Sequence, residues 1–111
     1  MSKMKPEVKQ AWVEALRSGE YNQGKGLLRH PVRDNYCCLG VLCDLHAKET
    51  GDVWEDGFKY KFESMILPQE VRDWAGLSSS NPEAGDTSLA YANDNGGKDF
   101  NAIANLIEKH L

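Results

Sequence analysis

Between Gly19 and Arg33 the chain sets four side chains suited to anions, Tyr21, Lys25, Arg29 and Arg33, around the glycines Gly24 and Gly26. Glycine lets backbone N–H groups converge on an anion, and Lys and Arg add charge-assisted hydrogen bonds. Tyr21 offers a face on which a planar ring can stack. The order Gly19, then Gly24-Lys25, imitates the start of a phosphate-cradling loop. Gly26, however, stands where Ser or Thr would hold magnesium, and the segment follows a helical pattern where such a loop would follow a strand. An NTPase is therefore not expected. Strand alternation puts Lys25, Leu27 and Arg29 on one face of a hairpin, which brings the two cations together. The expected ligand is a small anionic nucleotide; an exposed basic hairpin whose glycines only turn the chain accounts for the same residues.

Cys37, Cys38 and Cys43 are an odd number of thiols, two of them adjacent, which does not make a disulfide framework. Cys43 and His46 lie one helical turn apart, and Cys37, Cys38 or His30 could complete a zinc tetrad. The C-x-x-C spacing of such sites is missing, and the thiols sit in the most apolar stretch of the chain, so they read as buried free cysteines. No catalytic residue, metal or cofactor is assigned on this basis. A small enzyme using Cys43 or His46 is a remaining reading, and it requires an exposed thiolate beside a cation.

The carboxylates Asp52, Glu55, Asp56, Asp94 and Asp99 show neither hydrolase nor calcium-loop spacing and read as solvated loops and helix caps. Trp12 and Trp74 fall on core faces of helical patterns. Trp54 lies in an acidic loop, and an exposed tryptophan is a frequent partner contact, so Trp54, Glu55 and Asp56 are the expected partner-binding residues.

These groups need elements to position them. Pro6, with Val8, Trp12, Ala15 and Leu16 at helical spacing and Gly19 as a stop, predicts a helix over 5–17. Leu27–His30 is expected to pair with Tyr36–Cys38 across a Pro31–Asn35 turn. A central core helix is expected to start near Cys38 and end at Gly51, and Gly40 within it implies close backbone packing. Phe58, Tyr60 and Phe62 alternate with lysines as in a half-buried strand with one aromatic face inward. Leu67-Pro68 opens a short helix that stops at Gly76, residues 78–87 read as a mobile loop, and Leu89–Ala92 as a short strand. Asp99 caps a final helix carrying Phe100, Ile103, Leu106 and Ile107 inward. The fold class is thus α+β: about three principal helices packed on a short antiparallel sheet or hairpins. Trp12, Leu39, Val41, Leu42, Leu45, Val71, Trp74, Phe100, Ile103 and Leu106 form the expected core.

With 111 residues, 41% apolar and 27% charged, the chain reads as a single domain over 1–111 with the composition of a soluble protein. A net charge of −4 disfavours long nucleic acid and anionic membranes as partners. The charge is uneven: residues 1–33 hold seven bases and three acids, residues 34–111 six bases and fourteen acids. No apolar run approaches a secretory signal or a membrane span, so a cytoplasmic protein is expected.

The segments Gly19-Glu20-Tyr21-Asn22-Gln23-Gly24-Lys25-Gly26 and Tyr36-Cys37-Cys38-Leu39-Gly40-Val41-Leu42-Cys43-Asp44-Leu45 resemble a family of small proteins encoded by bacteriophages and prophages. The likeness continues through Leu67-Pro68, Trp74-Ala75-Gly76-Leu77 and Phe100–Leu111. It implies a phage protein made in the bacterial cytoplasm, and it carries over no catalytic residue. Small accessory phage proteins often act by binding, which frames two expectations. One is capture of a nucleotide signal of host defence on Tyr21, Lys25, Arg29 and Arg33. The other is inhibition of a basic host defence enzyme, such as a nuclease, through Trp54, Glu55 and Asp56. A site shared between symmetric subunits is compatible with either.

Overall fold

The computed structural model describes residues 4–111, and among these the chain forms five helices and two short antiparallel hairpins. The first helix, α1 (Pro6–Arg17), starts on a proline and buries Val8, Trp12, Val13 and Leu16 along one stripe. The Trp12 indole N–H donates to the Cys38 carbonyl at 3.0 Å. That bond ties α1 to the start of the central helix, α2 (Cys38–Thr50).

Helix α2 is buried almost all round in its first half: Cys38 to Cys43 are all inaccessible. Gly40 is required there, because a Cβ at that position would lie 1.8 Å from the Leu28 carbonyl oxygen. The helix ends, as expected, on Gly51 in the left-handed conformation, whose N–H bonds to the Ala47 carbonyl. Ahead of α2 runs the hairpin β1 (Arg29–His30) and β2 (Asn35–Tyr36), with Arg29 opposite Tyr36 and His30 opposite Asn35. It is shorter than the expected Leu27–His30 with Tyr36–Cys38 pairing, because Cys38 already belongs to α2. Gln23 adds a parallel bridge to Tyr36.

Helix α3 (Gln69–Ala75) follows Pro68 and stops at Gly76, as the sequence indicates. Residues 78–87, expected as a loop, contain a second hairpin, β3 (Glu83–Ala84) with β4 (Thr87–Ser88). Leu89–Ala92 is not a strand. It opens α4 (Leu89–Asp94), whose first turn is capped by the Ser88 hydroxyl accepting the Tyr91 N–H at 3.3 Å. Helix α5 (Phe100–His110) begins at Asp99, which accepts the Ala102 N–H at 2.9 Å, and packs along α1.

The core draws on every helix and contains Trp12, Leu39, Val41, Leu42, Val71, Phe100 and Ile103 as expected. Leu45, Trp74 and Leu106 are only partly buried against it. Leu28, Tyr60, Leu67 and Leu89 are fully buried members beyond that expected set. The largest correction lies at 58–62. These residues form no strand: Lys61 and Phe62 both take positive φ, at 51° and 73°, which breaks the alternation and sends Tyr60 inward and Phe62 into solvent. No helix among the described residues is long and apolar enough to cross a membrane.

Candidate functional site

Asp44, on the outer side of α2, organises one face of the molecule. Its Oδ1 accepts the Trp54 indole N–H at 3.0 Å, and its Oδ2 accepts the Tyr21 hydroxyl at 2.6 Å, with the Lys48 ammonium 3.4 Å away. Burial, reinforced by that bond to the carboxylate, pushes the Tyr21 hydroxyl up to about 12. Trp54 is thereby held half-buried, and it joins a run of ring contacts. Tyr21 meets Tyr36 edge-on at 5.1 Å, Tyr36 meets Trp54 at 6.0 Å, and Trp54 meets Tyr60 at 5.2 Å. The Arg29 guanidinium lies 5.6 Å over the Tyr36 ring and 6.0 Å over the Trp54 ring, and pairs with Asp34 at 3.0 Å.

Beyond Trp54 the chain makes two tight turns. Glu55 and Lys59 bridge each other, as do Tyr60 and Glu63. The Tyr60 ring is fully buried, and its hydroxyl lies 2.6 Å from His46 Nδ1. The Lys61 ammonium reaches back to Asp52 at 3.0 Å, and the Phe62 N–H donates to the Glu55 carboxylate at 2.9 Å. Together these bonds hold two consecutive non-glycine residues in left-handed backbone, a conformation costing ~1–3 kcal/mol each.

The outcome of that strain is that the Phe62 side chain is 87% exposed. Val53, Met65 and Ile66, on the same stretch of chain, are exposed too, as is Val32 at the tip of the β1–β2 hairpin. The hairpin and this stretch touch. Pro31 lies over Gly57, where an added Cβ would come within 2.8 Å of the proline's own Cβ, and the Leu28 N–H bonds to the Ser64 carbonyl at 2.7 Å. Residues 52–73, which carry four of these exposed apolar groups, hold six carboxylates, Asp52, Glu55, Asp56, Glu63, Glu70 and Asp73, against three cations, Lys59, Lys61 and Arg72.

Of the four expected anion-binding residues, Tyr21 and Arg29 both meet the Tyr36 ring, but each is already engaged by other groups. Tyr21 is engaged by Asp44 and Lys48, and Arg29 by Asp34 and two rings, while Arg33 is exposed in the hairpin turn. Lys25 lines a shallow hollow of about 190 Å³ with Gln23, Asn93 and Lys98. Tyr21 borders a different one, with Leu16, Asn22 and Phe100. The glycine segment is anchored from below. Asn93, 1% exposed, accepts the Gln23 side-chain amide and the Cys38 N–H on Oδ1, and donates to the Gly24 carbonyl. Gly24 and Gly26 therefore present their backbone to Asn93 and Asp94, and the Gly26 N–H donates to the Asp94 carboxylate.

Of the expected partner-binding residues, Asp56 is exposed, Glu55 spends one carboxylate oxygen on the Phe62 N–H, and Trp54 is half-buried. The exposed aromatic of this face is Phe62. Sequence reasoning assigned Phe62 inward because alternation was assumed. Met65-Ile66 ahead of the buried Leu67 was the available signal, an apolar run longer than one core position needs.

The three cysteines are buried and free. Burial pushes the Cys37 thiol up to about 11 and those of Cys38 and Cys43 well above their ordinary value, so none is a ready thiolate. Cys43 is fully buried in the core, and the ligand-type side chains grouped with His46 are Asp52 and Glu70.

A family model covers residues 4–111, nearly the whole chain. The chain belongs to the family described as "Domain of unknown function (DUF8296)". The matched span of this DUF8296 chain includes Asp44, Lys61–Phe62 and Asn93. No curated protein and no solved structure matches it.

Proposed function

We propose that this DUF8296 chain is a non-enzymatic accessory protein of phage type that acts by docking on a basic protein of the bacterial host, with Phe62 as its central contact. One observation carries the reading. Of the six large hydrophobic side chains that are exposed among the described residues, five (Val32, Val53, Phe62, Met65 and Ile66) lie on the two touching segments described above. Scattered exposed hydrophobics are ordinary, whereas a contiguous group with a charged rim marks an interaction surface. The excess of carboxylates over residues 52–73 favours a basic partner. Strain retained at an exposed aromatic supports the same reading, because relieving it would cost the molecule nothing in packing. Burial of all three thiols supports binding over thiol catalysis.

Capture of a small anionic nucleotide is the weaker alternative. Tyr21 is engaged by Asp44 and Lys48 and Arg29 by Asp34, and Tyr21 and Lys25 line two different hollows, of about 350 and 190 Å³.

Affinity capture from a bacterial host extract with the wild type, Phe62→Asp and Tyr91→Asp tests the docking reading, Tyr91 being the exposed aromatic outside this face. A single basic protein should be retained by the wild type and Tyr91→Asp, released by high salt, and missing with Phe62→Asp. Equal retention by all three variants, or calorimetric binding of a cyclic nucleotide that Arg29→Ala abolishes, would overturn it.

A further inference from the structure

His46 lies beneath the acidic segment, and with Asp52 and Glu70 it brings an imidazole nitrogen and two carboxylate oxygens within 4.8 Å of one another. The three come from different elements: His46 from α2, Asp52 from the chain just after the Gly51 cap, and Glu70 from the first turn of α3. The imidazole is rigidly placed. It is 4% exposed, packs edge-on against Trp74 at 5.1 Å and Tyr60 at 5.6 Å, and has Nδ1 committed to the Tyr60 hydroxyl at 2.6 Å. A histidine fixed through one ring nitrogen is the usual preparation for ligation through the other. Asp52 is also oriented, since the Thr50 hydroxyl donates to its Oδ2 at 3.0 Å while itself lying near the end of α2. The two carboxylates already share a cation, because Lys61 Nζ lies 3.0 Å from Asp52 Oδ1 and 3.4 Å from Glu70 Oε2.

We propose that His46, Asp52 and Glu70 form a zinc-class divalent metal site, for which the Lys61 ammonium is the built-in competitor. One imidazole nitrogen and two carboxylate oxygens are ligands that zinc accepts, with a fourth position left for water. Ligand atoms around a tetrahedral zinc lie roughly 3.3 Å apart, given bonds of about 2.0–2.1 Å. The closure needed falls on Glu70, which is exposed, and on Asp52, which sits in a loop. The ammonium and the metal are mutually exclusive by charge. With Lys61 in place the pair of carboxylates keeps an excess negative charge; a divalent ion with Lys61 released to solvent neutralises both.

Calorimetric titration of the full chain with zinc chloride, read in parallel by the ring resonances of the three histidines, tests the assignment. Removing the competitor in Lys61→Met should tighten binding at least tenfold. Glu70→Gln, a surface change that leaves the core intact, should weaken it at least tenfold, and the His46 ring should be the one that shifts. Absence of zinc binding in Lys61→Met overturns the proposal. So does binding that is indifferent to Glu70→Gln, or that moves the exposed His30 or His110 ring in place of His46.

Discussion

Asn93 is a polar side chain with almost no access to water, and two of its bonds close backbone groups that would otherwise be orphaned. Its Oδ1 takes the Cys38 N–H at 3.2 Å, one of the free donors at the start of α2, and its Nδ2 gives to the Gly24 carbonyl at 2.8 Å. Asn93→Ala should therefore lower stability by ~2–4 kcal/mol, read by urea unfolding, since it strands buried backbone partners as well as deleting its own bonds. Asn93→Asp should be only partly tolerated, because the carboxylate can keep the Cys38 N–H but cannot donate to Gly24. At this scale the sequence was uneven. Gly40 could be read correctly, because a glycine inside an apolar helix has few explanations other than close backbone approach. Asn93 could not, because asparagine beside Asp-Asn-Gly-Gly is also what an exposed turn looks like, and only the tertiary structure reveals that its amide points inward. Lys25 and Arg29 failed for a related reason: alternation across the hairpin assumed an uninterrupted strand from Lys25 onward, whereas pairing begins only at Arg29.

Elements set by strong local signals appear where the sequence placed them. Pro6, Gly51, Gly76 and Asp99 bound helices that differ from expectation by a residue or so, since caps act within one turn of chain. The misreadings are short elements with long-range causes. Leu89–Ala92 became helical because Ser88 caps it, and 58–62 became turns because Asp52 and Glu70 hold Lys61 and the Glu55 carboxylate accepts the Phe62 N–H, contacts that no period-two pattern encodes. Phe62 tests this account of the strained turn. At φ 73° glycine is at ease and a β-carbon is not, and the phenyl ring, being exposed, gives little back. Phe62→Gly should stabilise the protein by about 1 kcal/mol while removing partner binding, whereas Phe62→Ala should remove binding with no comparable gain. Parallel denaturant curves of the two variants decide the matter; a loss of stability in Phe62→Gly would show that the ring packs on something.

At the scale of the whole molecule, one core joins the five helices, and its buried hydroxyls give the fold a characteristic alkaline limit. Burial pushes the Tyr21 and Tyr60 hydroxyls up to about 12, against about 10 in an unfolded chain. A raised folded value means that the unfolded state ionises first; the three buried thiols begin the loss of stability from about pH 9, and the two tyrosines steepen it as the pH climbs from 10 toward 12. Spectrophotometric titration should show these two tyrosines ionising late and together with unfolding, and Tyr60→Phe should make the decline shallower. The hairpin that carries Arg29 and Arg33 touches the acid-rich stretch after Trp54, through Pro31 on Gly57 and the Leu28 N–H on the Ser64 carbonyl. That adjacency brings the hypothesis of a basic partner down to one side of the molecule.

The claim on which the functional account rests is that Phe62 meets a partner protein, and a photo-reactive benzoylphenylalanine installed at position 62 reports this directly. Irradiation in bacterial host cells should yield one dominant adduct with a basic protein from position 62 and none of that adduct from position 91. The same adducts from both positions, or only a covalent dimer of the chain with itself, would contradict it.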